Sequence, residues 1–428
     1  MISDLPAAHD ARPLPLVART VALDPAELPR DLIDLLPPTG GLAWVRRGDG
    51  LVAWGETARI RRVGPERFRD AESAWRELAD RAVVRDEVQL PGTGPVAFGA
   101  FAFADRSPAG GALVVPRVVV GRRGDAAWLT TMDVGAVGAP DDLAARERPR
   151  SPGPVTYADG ALDATAWRRA VEHALAEIRS GRLDKVVLAR EVLATTTRPL
   201  DPRWALRRLA AEYAACWTFA VDGMLGSTPE LLLRSEKGLV TSRVLAGTIR
   251  RTGDDDADLA HAAVLAHSSK DLEEHEYAVE SLAESLAPFC SSTNVPETPF
   301  VLHLPNVLHL ATDVTGVLSM GTSTPSSLGI AAALHPTAAV AGTPTEQACD
   351  LIARVEGMDR GRYAGPVGWL GADGDGEWAI ALRSAEIGPD PRRLRLLAGC
   401  GIVAASDPVA ELAESEAKLE PMRFALAE

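Results

Sequence analysis

Two carboxylate sets and two isolated polar residues are the places in this sequence where chemistry could be done. On the segment KDLEEHEYAVE, Asp271 and Glu274 fall three residues apart, which on a helix puts both carboxylates on one face. Glu411, Glu414 and Lys418 share a face in the same way on AELAESEAK. Each set alone reads as a solvated stripe; together they are also the oxygen donors that a hard cation such as Mg²⁺ takes. Lys185 opens the apolar run KVVLAR, where a lysine is either a snorkelling edge residue or a desolvated base. Glu230 follows the turn Gly226-Ser227-Thr228-Pro229 and heads the run LLLR. It is an ordinary solvated strand start, or a carboxylate delivered into a site.

The elements that must position these groups are legible in the hydrophobic pattern. Ala166–Arg179 has helical spacing, with Trp167, Val171, Ala174, Leu175 and Ile178 on one stripe. Lys185–Leu193 reads as a strand and Pro202–Ala215 as a helix. Two hairpins are expected, one joining 230–234 to 239–245 across Ser-Glu-Lys-Gly, the other joining 365–370 to 378–384 across Ala-Asp-Gly-Asp-Gly. Long helices are expected over Ser268–Leu286 and from about Pro408 onward. Before these, Gly41–Val45, Val96–Ala104 and Ala112–Val120 are short strand-like runs, and the proline-rich stretch Arg146–Pro154 separates the two parts. Residues 1–150 therefore read as a β-rich N-terminal part and 155–428 as a second part with longer and stronger signals. Hairpins interleaved with helices, without βαβ alternation, point to the α+β class.

Composition narrows the function. The chain has 428 residues, 46% hydrophobic and 24% charged, enough for a sizeable core. Its net charge of -14 argues against a general nucleic-acid binder and means that any anionic substrate needs dedicated local cations. Cys216, Cys290, Cys349 and Cys400 lack CxxC spacing and read as buried small hydrophobes of a reducing compartment. Met1–Pro15 has no apolar h-region, and no apolar run reaches the roughly 18 residues of a membrane span, so a cytoplasmic protein is expected. Gly399-Cys400-Gly401-Ile402-Val403-Ala404 matches GxGxxA, but the second strand and acidic residue of a dinucleotide fold do not follow. His275-Glu276 lacks the second histidine of a zincin, and lone histidines such as His309 and His335 are usually satisfied structural groups.

Ten ordered segments resemble the catalytic domain of chorismate-utilising enzymes, from about Val155 onward. They are DKVVLARE (Asp184–Glu191), GSTPELLLR (Gly226–Arg234), LAGTIRR (Leu245–Arg251), SKDLEEHEY (Ser269–Tyr277), LPNVLHL (Leu304–Leu310), LHPTAAVAGTP (Leu334–Pro344), DRGRYAGPVGW (Asp359–Trp369), ALRSAEI (Ala381–Ile387), AGCGIV (Ala398–Val403) and AELAESEAK (Ala410–Lys418). The resemblance implies two antiparallel sheets packed together with helices outside, with the N-terminal part expected to be integrated into the same fold. Lys185, where anthranilate synthases typically carry glutamine, and Ala246, where aminodeoxychorismate synthases tend to carry a nucleophilic lysine, point to water as nucleophile. Leu334–Gly342 is similar to isochorismate synthases rather than salicylate synthases, which are the first alternative; an ammonia-using anthranilate or aminodeoxychorismate synthase component is the second.

The same resemblance implies the roles. Mg²⁺ would be held by Glu274 and Glu414, with Asp271 and Glu411 behind them acting through waters. Lys185 would be the general base toward water at C2, for which it must be neutral. Glu230 would be the general acid at the C4 hydroxyl, for which it must hold its proton. Arg383 and Tyr363 would hold the enolpyruvyl carboxylate; Gly247, Thr248, His309, Gly399, Gly401 and Lys418 would complete the chorismate pocket. Leu272 stands where the family often has arginine, which alters the charge balance of the metal helix. No glutaminase subunit, nucleic acid or membrane partner is expected, and a monomer is.

Overall fold

A computed structural model describes residues 14–138, 143–319 and 325–428, so most of the Met1–Pro15 stretch lies outside the described residues. Among these residues two sheets form, one of 13 strands and one of 10. The larger sheet begins at Val155–Asp159 and runs through Lys185–Thr196, Arg393–Ile402, Ser384–Ile387, Met224–Thr228 and Trp217–Val221. It then continues without a break into Leu42–Arg46, Asp49–Trp54, Val118–Arg123, Ala126–Val134, Leu16–Leu23 and Val83–Asp86. The smaller sheet likewise joins Val307–Leu318, Leu239–Arg250, Leu231–Glu236, Gly376–Ile380 and Pro366–Gly371 to Val96–Phe101, Gly111–Val115 and Ala58–Arg62. Pairing is antiparallel except where Leu16–Leu23 meets Val83–Asp86. Both sheets are thus made from strands on either side of the proline-rich stretch.

That stretch has no regular structure, yet it is tied down. The Arg203 guanidinium donates to the carbonyls of Leu36 and Glu147, and the amides of Thr197 and Arg198 donate to the carbonyls of Pro154 and Pro152. The anticipated helices lie at Ala164–Arg179, Pro202–Glu212, Ser269–Leu286 and Pro408–Leu426, and both hairpins are present. The run 112–120 is two strands, Gly111–Val115 and Val118–Arg123, because Pro116 has no amide with which to continue a ladder. No helix among the described residues is long and apolar enough to cross a membrane.

Around the sheets the packing is dense and mostly apolar, with Phe98, Phe101, Trp167, Phe219 and Trp378 all fully buried. One carboxylate clips the layers together. Glu377, on the smaller sheet, accepts from the indole N–H groups of Trp44 and Trp217 on the larger sheet, at 2.9 and 3.2 Å, and from Arg234 Nε at 2.9 Å. Truncating it strands two buried indole donors and a guanidinium. Glu377→Ala is expected to cost about 3 kcal/mol, read as a lower urea midpoint at unchanged slope, with Glu377→Gln costing clearly less. Equal losses in the two variants would mean that the carboxylate matters only as packing.

Candidate active site

The site lies where the chain changes sheets. Met224–Thr228 belongs to the larger sheet and Leu231–Glu236 to the smaller, so Pro229 and Glu230 bridge them. A second crossing, Ala381–Arg383, links Gly376–Ile380 of the smaller sheet to Ser384–Ile387 of the larger. The crossings are laced together: Ile380 N–H donates to Glu230 O at 3.1 Å, and Ser227 N–H to Arg383 O at 3.2 Å. Beside them opens a narrow cavity. Its wall includes Glu230, Gly247, Thr248, Glu274, His309, Tyr363, Arg383, Gly399, Gly401 and Lys418.

Lys185 lies just behind this wall, completely buried at the head of its strand. Its Nζ is 3.2 Å from Glu274 Oε1, an ion-pair distance, but it has no partner in hydrogen-bonding geometry. Gly401 makes the approach possible: a Cβ there would stand 2.2 Å from Glu274 Oε1 and 3.1 Å from Lys185 Cε. The strand is held by a buried pair that sequence reading did not single out. Glu356 accepts from the Ala189 amide at 2.7 Å and from Arg360 Nε at 2.9 Å. Arg360 in turn donates to the carbonyls of Val187 and Val340, fixing the strand to the loop that follows His335.

Glu230 is buried, and burial pushes its pKa up to about 8 against the opposing pull of Lys185, Arg383 and Lys418. It therefore holds its proton at neutral pH. Arg383 sits in the left-handed region, φ 49°, a strained conformation for arginine that the crossing imposes. Its guanidinium donates to His309 Nε2 at 3.1 Å, so the imidazole proton is on Nδ1, which faces Thr248 Oγ1 at 3.0 Å. Burial, then Arg383 and Lys418, lower the pKa of His309 well below its usual value, so it is a neutral acceptor that orients Arg383. The Nε of Arg383 is buried without a partner. A bulge between Ala246 and Thr248 carries Gly247 at φ 77°, with Asp271 packed against it. Tyr363 completes the wall; burial raises its pKa, against the charges of Arg360, Arg383 and Lys418.

Beyond Gly399 and Gly401 the helix Pro408–Leu426 presents its carboxylates. Glu414 pairs with Lys418 Nζ at 2.6 Å, and Lys418 also donates to Gly399 O at 3.0 Å. Burial works against the charge on Lys418, but Glu414 raises its pKa, so it remains an ammonium. Oxygens of Glu411 and Glu414 and the Cys400 sulfur all lie within 4.8 Å of one another. Glu274 is not in that group; it stands beside Gly401, turned to Lys185. A hard divalent cation, implied by the family resemblance, fits this donor chemistry: two clustered carboxylates, with a third at the adjoining glycine. Two further histidines are structural, His275 buried and His335 half-buried. His275 meets Thr312 Oγ1 at 2.8 Å, His335 meets Phe103 O at 2.9 Å, and burial lowers each to a pKa of about 4.

Two packed antiparallel sheets, with a cationic cavity at their crossings, define the class, and comparison with known proteins places the chain within it. The family model described as chorismate binding enzyme matches residues 44–427. The salicylate biosynthesis isochorismate synthase of Pseudomonas aeruginosa is 34% identical, over 90% of this chain and 84% of that protein. The isochorismate synthase DhbC of Bacillus subtilis is 40% identical over 61% of this chain and 67% of its own length. Among solved structures, the menaquinone-specific isochorismate synthase MenF of Escherichia coli superposes with a TM-score of 0.79 at 26% identity, covering 97% of this chain and 96% of that one. The chain belongs to the chorismate-binding enzymes.

The state of Glu230 has a thermodynamic signature. Between about pH 4.5 and about pH 8 the folded protein holds a proton that the unfolded chain has released. This contribution to stability is complete below the window and is lost as pH rises through it. In Glu230→Gln the loss disappears, so the drop in Tm from about pH 5 to about pH 9 should be smaller than in the wild type. Parallel Tm–pH curves would refute a raised Glu230 pKa.

Proposed function

We propose that this protein is an isochorismate synthase, adding water to C2 of chorismate as the C4 hydroxyl departs. The observation that carries this reading is a carboxyl that keeps its proton on the cavity wall, with a buried lysine lacking a hydrogen-bond partner just behind that wall. Lys185 takes the proton from the attacking water. Glu230 gives its proton to the C4 oxygen, which leaves as water. A synthase that uses ammonia has no need of a base to activate its nucleophile.

Binding falls to the cations. Arg383, held by His309 and flanked by Tyr363, receives the enolpyruvyl carboxylate on its guanidinium. Gly247, Gly399 and Gly401 allow the backbone to approach the ring, and Thr248 keeps His309 in its tautomer. Lys418 offsets the acidic helix at the cavity wall. Glu274 and Glu414, with Glu411 and Asp271 behind them, would hold Mg²⁺, which when bound supplies positive charge for the ring carboxylate and Lewis acidity toward the ring. The relatives named as isochorismate synthases support the same reading.

The test is incubation of the purified protein with chorismate and Mg²⁺, without ammonia, and chromatography of the products. An equilibrating mixture of chorismate and isochorismate is expected, abolished by EDTA and slowed about 10²- to 10⁴-fold in Lys185→Ala. Stoichiometric salicylate and pyruvate would replace this reading by a synthase–lyase, and turnover only with ammonia would overturn the role of Lys185. On the same assay, kcat/KM should fall as pH rises through about 8, where Glu230 loses its proton. An alkaline limb that persists in residual Glu230→Gln activity would assign it to another group.

A further inference from the structure

A second cavity, of about 260 Å³, opens where the turn after Leu42–Arg46 meets the turn after Val118–Arg123. It shares no residue with the cavity that Glu230 lines. Its charge is lopsided. Arg46, Arg47, Arg122, Arg123 and Arg234 line it, against only Asp49 and Glu377, on a chain of net charge -14. Part of that positive charge is answered inside the fold: Arg123 pairs with Glu236 at 2.6 Å, and Arg234 Nε donates to Glu377 at 2.9 Å. The rest is not. Glu377 already takes the two indole donors, and both Asp49 oxygens face the Gly124 amide at 3.2 Å. Arg122 donates to the carbonyls of Pro29 and Arg30, which leave its charge unopposed. Arg46 donates through Nε to Ala215 O at 2.8 Å, with its guanidinium 4.0 Å over the Trp217 ring. Its terminal nitrogens have no bonded partner among the described residues. Burial, then the charges of Arg243, Arg47 and Arg234, push the pKa of Arg46 down to about 10, so it stays charged among like charges. Arg47 is exposed and pairs with no carboxylate among the described residues. It stands at φ 54° in the two-residue turn Arg47-Gly48, a conformation that favours glycine or asparagine.

We propose that this cavity binds a compact, multiply charged oxyanion, a polyphosphate group or a polycarboxylate, gripped by Arg46 and Arg47. Each guanidinium offers parallel N–H donors to neighbouring oxygens of one anion. Stacking on Trp217 and the bond to Ala215 fix the Arg46 guanidinium in advance, so little side-chain freedom is lost on binding. Arg122 and Arg123, across the strand pairing of Gly50 with Arg122, add attraction without direct contact. A single negative charge would leave most of the excess unneutralised, and the cavity is smaller than the roughly 300–1,000 Å³ of drug-sized sites, which favours a small occupant of high charge. No bond is made or broken. The inference goes beyond the isochorismate synthase reading and does not depend on it.

The experiment is calorimetric titration of the full chain with pyrophosphate and, separately, with citrate, in a buffer without divalent metal or other polyanions. One site per chain is expected, weakening as NaCl is raised. Arg47→Gln should lower the affinity about tenfold or more, as should Arg46→Met, which keeps an apolar stem on Trp217. Arg383→Ala, in the other cavity, should leave the affinity unchanged. Tighter binding of pyrophosphate assigns the site to phosphates, tighter binding of citrate to carboxylates; either supports the proposal. Circular dichroism establishes that the variants are folded, and because Arg47 is exposed, Arg47→Gln decides the matter even if Arg46→Met is unstable. Three results overturn the proposal: no binding of either anion, the wild-type affinity in Arg47→Gln, or binding that only Arg383→Ala abolishes. Many weak, equivalent sites per chain would do the same, since they would mark unspecific attraction to surface arginines.

Discussion

Everything about the site depends on two neighbouring stretches of chain leaving one sheet for the other at the same level. A strand that switches sheets must interrupt its own ladder, and the freed amides and carbonyls need other partners. Here each crossing supplies them to the other, through Ile380 to Glu230 and Ser227 to Arg383. The side chains at the crossings belong to neither sheet's interior, and they project into the gap between the layers. The left-handed conformations of Arg383 and of Ala364, φ 61°, sit in the same place. Backbone strain is tolerated there because paired strands on both sides fix the geometry.

The electrostatics follow from that placement. The chain as a whole is acidic, with a net charge of -14, yet Arg360, Arg383 and Lys418 all reach the cavity wall and Lys185 lies behind it. Burial acts on each group according to the form it disfavours. It keeps Glu230 protonated and His309 neutral, while Lys418 stays charged because Glu414 is adjacent. One carboxyl that holds its proton and several fixed cations thus coexist within one small volume, without any residue of unusual chemistry.

Local pattern revealed much of this and could not have revealed the rest. Lys185 was conspicuous because an apolar strand rarely opens on a charge, and the paired carboxylates because helical spacing is short-range. Glu356 and Arg360 gave no such signal: their partners are backbone groups of Ala189, Val187 and Val340, remote in sequence. The same holds for Glu377, whose value lies in two tryptophans from distant strands. Cys400 looked like a buried apolar residue, and it is buried; only the packing of a helix over its strand places carboxylates beside it. The helices Arg67–Asp80 and Thr345–Val355 also went unread, although Ala348, Leu351 and Ile352 bury one face of the latter. The glycines of the GxGxxA match lie inside a strand, where Gly401 opens space for Lys185 and Glu274 instead of cradling a dinucleotide.

The interleaving of early and late strands also bears on how the chain comes to be folded. Val96–Phe101 pairs with Pro366–Gly371, and Leu42–Arg46 with Trp217–Val221. Emerging from the ribosome, the first of each pair has its apolar faces ready long before its neighbour exists. Contacts so far apart in sequence make folding slow and leave strand edges open to other chains. A nascent chain of this design holds one edge of Val96–Phe101 unpaired until the last third of the protein has been made.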